Sequence, residues 1–137
     1  MDLLERCQFL NASADDLSSI TDATIDMITT RSVLIYVLAK QQAFNKFYRT
    51  LKPDGRLSIF EPINRFSSPE PRDRFGPYDA KPIMEIAEKV KALYWGLHPV
   101  DSDPMLDFDE RDLVKFAEEA GFKEIHLELK IEVKPPE

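Results

Sequence analysis

Glu61 and Asn64 set a carboxylate and a carboxamide three residues apart after an apolar run, where they could orient a bound molecule or take a proton from it. Tyr36, Phe66, Tyr78, Tyr94 and Trp95, together with His98, could wall an apolar pocket whose aromatic faces favour a cation. Two of these have plainer readings: Tyr94 and Trp95 can simply continue the apolar stripe of a helix, and His98 can be a loop residue bonded to backbone. Thr30, Arg31 and Ser32 follow a second apolar run, and Arg31 there could equally form a surface ion pair. Asp26 lies inside that run and is expected to accept from loop amides, because burying an unpaired charge is costly. Other chemistries find no support. His98 and His126 are far apart and Cys7 is the one cysteine, so there is no zinc spacing. The acidic stretch 101–110 lacks the glycine and final glutamate of a calcium loop, and no Gly-x-Ser-x-Gly elbow occurs.

These residues are positioned by one strand-helix-strand unit, 24–64. Ile25, Met27 and Ile28 supply the apolar bulk of a strand covered on both faces. Over 39–51, Ala43, Phe44, Phe47, Tyr48 and Leu51 recur at three- and four-residue steps, which gives a helix with one buried stripe. Pro53 stops that helix, and Gly55 is expected to take the positive φ of the reversal into a second strand at 57–60. Two strands joined through a helix lie parallel, and ligands of such sheets bind beyond the carboxyl ends of the strands. The places to look are therefore 29–36 and 61–66.

Elsewhere the pattern is simpler. Prolines at 69, 71, 77 and 82 with clustered charges mark 64–82 as a long loop, a length that is commonly functional or mobile. Asp79 is expected to cap a helix carrying Ile83, Ile86, Ala87, Val90, Leu93 and Tyr94, with Pro82 in its first turn. Asp109 and Asp112 form a capping box for a further helix ending at Gly121. Ile125, Leu127, Leu129, Ile131 and Val133 then alternate with His126, Glu128, Lys130 and Glu132, the pattern of an edge strand with one dry face. At 137 residues, 43% hydrophobic and 31% charged, the chain reads as a single domain, 1–137. A net charge of −7 argues against binding nucleic acid, and no apolar run approaches membrane-spanning length. Cys7 is expected to be a small buried hydrophobe in a first strand. The amino terminus carries no secretory signal, so a cytoplasmic setting is the default.

The order of an acid inside a strand, Thr29-Thr30-Arg31-Ser32, an apolar run, an amphipathic helix, Leu51-Lys52-Pro53-Asp54-Gly55-Arg56-Leu57, a strand and Glu61-Pro62 resembles the second half of a class I S-adenosylmethionine-dependent methyltransferase. Residues 7–17 resemble that family's third strand and adenine loop, and 106–133 its late helix and sixth strand. The resemblance implies an α/β, partial Rossmann-like fold: a mostly parallel sheet with flanking helices and a late edge strand. It implies S-adenosylmethionine as cofactor and a small-molecule substrate. Ser13, Ala14 and Asp15 fall where the family meets adenine, Ser13 standing where an acid is usual. Thr30, Arg31 and Ser32 fall where it meets the methionine end. Substrate contacts then fall to Tyr36, Glu61, Asn64, Tyr94, Trp95 and His98, with no catalytic residue named and no metal.

The four glycines, Gly55, Gly76, Gly96 and Gly121, are too scattered to make the family's glycine-rich cofactor loop. The chain is accordingly expected to be an internal piece of such an enzyme, impaired or inactive alone, or else a non-catalytic scaffold. With strands of the sheet unaccounted for, an exposed edge should draw a second copy into a homodimer or force the sheet to rearrange.

Overall fold

The computed structural model describes residues 6–97, 99 and 102–132. At its centre strand β1 (Ile25–Arg31) and strand β2 (Leu51–Phe60) pair in parallel, joined through helix α1 (Lys40–Thr50). The expected crossover is therefore present. The register runs from Met27 opposite Arg56 to Arg31 opposite Phe60. It slips between Ile25 and Met27, so that residues 52–55 bulge out of β2. The expected turn thus survives as a bulge. The positive φ falls on Asp54 (64°) and not on Gly55, since aspartate tolerates the left-handed region. Gly55 is needed for room instead: a Cβ there would stand 2.9 Å from the Lys52 carbonyl oxygen.

The core gathers around α1. Leu34, Val37, Ala43, Phe44, Phe47 and Ala117 are buried together, with Ile28, Leu57 and Ile59 of the sheet packed against them. Alternation sends the other side chains outward, leaving Met27 58% and Phe60 55% exposed. Coverage on both faces, as anticipated for 24–29, is therefore met on one face only; the other has no helix against it among the described residues. Helix α3 (Glu110–Ala120) packs on α1. Its amino end is the anticipated capping box, Asp109 accepting from the amides of Arg111 and Asp112 while Asp112 accepts from that of Asp109. Gly121 ends it with a left-handed φ of 102°.

Lys40 locks these layers. Its side chain is 3% exposed, and Nζ donates to the carbonyls of Val37 and Pro104 (both 2.9 Å) and to Asp107 (2.6 Å), above the Phe108 ring at 4.8 Å. Three donors meet three acceptors, the condition for burying an ammonium.

The long loop has structure of its own. Strands β3 (Arg74–Phe75) and β4 (Tyr78–Asp79) form a short antiparallel hairpin that leads through the turn Lys81–Ile83 into helix α2 (Met84–Leu97). Asp79 accepts from the amide of Lys81, and Pro82 sits in the entering turn.

Two further expectations fail. Residues 7–13 form no strand, and Cys7 is exposed; among the described residues no ladder stands beside that segment to cover it. The late edge strand is likewise absent from 125–132, whose backbone bonds to no other described segment. Alternation marks a face suited to a sheet, but a strand also needs a partner to take its hydrogen bonds. Val133 lies outside the described residues. No helix among them is long and apolar enough to cross a membrane, and no acid, histidine or cysteine cluster among them could hold a metal ion.

Candidate functional site

Both strands of the central pair end at the same edge, which brings 30–36 beside 60–64. Arg31 stands opposite Phe60 in the ladder, and the Ser32 amide donates to the Phe60 carbonyl at 2.8 Å. Ser32 then takes a φ of 53°, turning the chain into the tight turn Leu34–Tyr36. Such a turn opens with free amides that need an acceptor.

Glu61 supplies it. Its Oε1 accepts from the amides of Val33 (2.9 Å) and Leu34 (3.1 Å), and its Oε2 from that of Ile35 (3.3 Å). Both carboxylate oxygens thus hold the loop over the strand ends. Glu61, expected to orient or deprotonate a substrate, is engaged here in organising backbone. The role anticipated for Asp26, acceptor for loop amides, belongs to Glu61. Asp26 is exposed and pairs with Lys52 Nζ at 2.8 Å, at the point where the register slips and Lys52 bulges out of β2.

The other anticipated residues are dispersed. Arg31 lies over the Phe60 ring at 5.5 Å, a cation–π contact in place of the ion pair weighed for it. Tyr36 is exposed, and Asn64 opens the turn Asn64–Ser67, its carbonyl accepting from the Ser67 hydroxyl. Tyr94 and Trp95 pack edge to face on α2 with centroids 5.4 Å apart. His98 lies outside the described residues.

Behind the strand ends a hollow of about 400 Å3 opens between β1, α1 and the segment before β1. Ala14 and Thr30 both line it, with Leu17, Ile28, Val33 and Phe47. Ser13, Asp15, Arg31 and Ser32 are not among the lining residues. Ser13 and Asp16 close a backbone turn, and the Asp15 carbonyl accepts from Gln42. Hydrogen bonds from Ser18 hold the exposed Asp16 carboxyl below its ordinary pKa. Arg49, which sequence reasoning passed over, fixes this wall: its guanidinium donates to the carbonyls of Leu17 (2.7 Å) and Ile20 (2.9 Å) and pairs with Asp22. An arginine late in an amphipathic helix carries no spacing signal for that task.

The lining decides what the hollow can hold. Its side chains are apolar apart from the hydroxyls of Thr29, Thr30 and Thr50, with no carboxylate and no cation. Thr50 bonds to the carbonyls of Lys46 and Phe47, whereas Thr30 Oγ1 is buried with no partner among the described residues. A flat heteroaromatic base with one polar edge suits such a surface. A ribose diol and an amino-acid zwitterion do not, since they need acceptors and charges that the lining lacks. The residues present therefore fit the base of S-adenosylmethionine and not the whole cofactor.

Residues 2–59 match a family model described as a methyltransferase domain. Less than half of the chain is covered, but the span takes in β1, α1 and nearly all of β2, and with them Ala14 and Thr30. The match is a likeness of this segment to a methyltransferase domain, and it falls on the strand-helix-strand unit from which the resemblance was read. No curated protein matches the chain.

Proposed function

We propose that this chain forms one wall of a methyltransferase serving a small-molecule acceptor, and that by itself it takes up only the adenine end of S-adenosylmethionine, without turnover. The observation that carries this reading is the Thr30 hydroxyl, buried with no partner among the described residues in a largely apolar hollow that Ala14 also lines, which gives Thr30 to the base and not to the methionine end. Methyl transfer is an in-line displacement whose rate comes largely from proximity and orientation, and a cofactor held by its base alone is not oriented. The Glu61 clasp keeps the loop above the hollow in place.

Titration with S-adenosylhomocysteine, followed by amide chemical shifts, tests it. Weak binding at millimolar ligand with shifts at Ala14, Thr30 and Val33, lost in Thr30→Val, is the expected result. Micromolar binding accompanied by turnover would overturn the claim of impairment. Silence at millimolar ligand would remove the cofactor wall altogether and leave a second reading, a non-catalytic scaffold. That reading draws support from the exposed apolar side chains of α2 and of 125–131. Under either reading we propose that the chain works as a homodimer.

A further inference from the structure

Beyond Gly121 the Phe122 ring packs edge to face on Tyr48, with centroids 5.2 Å apart, and Glu124 takes a φ of 56°. No described residue after it has a positive φ. Along 125–131 the apolar side chains rise in exposure, Ile125 38%, Leu127 43%, Leu129 47% and Ile131 69%. Their face is partly covered by the chain itself, but the backbone bonds to no other described segment. Free amides and carbonyls beside an alternating apolar face make a template for another strand.

The charge order identifies that strand. In antiparallel pairing, residues directly opposite share a face, and opposite charges there stabilise while like charges repel. With Leu129 opposite Leu129, Glu128 meets Lys130, His126 meets Glu132 and Leu127 meets Ile131, each pair occurring twice about a two-fold axis. Moving the centre one residue either way sets Glu128 against Glu128 or Lys130 against Lys130. Larger slips run the ladder into the left-handed Glu124 or toward Pro135 and Pro136. Centring on Ile131 also sets opposite charges face to face, but it drives Leu127 against Pro135, so the register about Leu129 is the one that uses all of 126–132.

We infer that two copies of this chain associate through residues 126–132, paired antiparallel about Leu129 in a self-complementary interface. This rests on the homodimer proposed above and names its surface. Sedimentation velocity over a dilution series tests the association, and engineered cysteines in a Cys7→Ser background test the register. Leu129→Cys faces itself across the axis and should oxidise to a covalent dimer. Leu127→Cys should not, because its two copies stand about 13 Å apart, four residues along a strand and beyond disulfide reach. Glu128→Lys should weaken the dimer about tenfold through two repulsive pairs, and adding Lys130→Glu should restore it. A monomer at every soluble concentration would overturn both the interface and the homodimer. A dimer that cross-links equally at 127 and 129, or that the double swap fails to restore, would overturn the register and leave the homodimer standing.

Discussion

The central unit and the arm formed by β3, β4 and α2 carry similar amounts of apolar sequence and use it differently. Around α1 the apolar residues close on one another, and the polar groups they trap are fully engaged, as Lys40 and Glu61 show. In the arm, Ile86, Leu93 and Leu97 stay exposed, and charge does more of the joining. Lys91 donates to the carbonyls of Pro71 and Arg74 and pairs with Glu70, while Arg72 pairs with Glu88. A smaller hollow of about 310 Å3 between Phe75, Tyr78, Ile83 and Ala87 remains open. A helix becomes part of a core when its stripe meets a second stripe; α1 has the sheet on one side and α3 on the other, and α2 has a hairpin.

That difference predicts a graded response to substitution. Phe44 is fully buried and stacks near Phe47 and Phe116, so Phe44→Ala should cost roughly 3–5 kcal/mol through lost contacts and an unfilled cavity. Urea denaturation would read it as a lower midpoint, and an unchanged midpoint would mean the α1 core is not the seat of stability. Glu61→Gln comes next, at about 1.5–3 kcal/mol, because an amide offers one acceptor oxygen and no charge to three backbone donors. Hydrogen exchange sharpens the comparison. The amides of 33–35 should lose protection in this variant while those of α3 keep theirs.

How much of this could be read from sequence follows from the range of each signal. The α1 stripe, the end of that helix and the Asp109 capping box depend on neighbours within a few residues; the box is present as expected, the stripe buries Ala43, Phe44 and Phe47 but leaves Tyr48 half exposed, and the helix ends at Thr50, ahead of a Pro53 that falls within β2. Ala14 and Thr30, which the resemblance assigns to opposite ends of a cofactor, both line one hollow. What escaped depends on partners remote in sequence. Glu61 reaches back 28 residues to Val33, Lys40 reaches 67 forward to Asp107, and Arg49 reaches back 32 to Leu17. None of these pairs has a periodicity. The alternation at 125–132 was legible, but alternation alone does not say whether a ladder partner lies in the same chain.

The smallest effect is expected on the outer face of α2. Leu93 is largely exposed, so in a chain whose arm is held mainly by charge Leu93→Ala should change stability by less than about 0.5 kcal/mol. The arm should answer to salt instead. Ion pairs around Lys91 and Arg72 are partly exposed and therefore screened, whereas burial of Phe44 is not. Hydrogen exchange at low and high ionic strength separates the two regions: α2 amides should lose protection as salt rises while α1 amides hold. Should Leu93→Ala cost as much as Phe44→Ala, α2 would have to be packed on something in solution, and the contrast between arm and core would collapse.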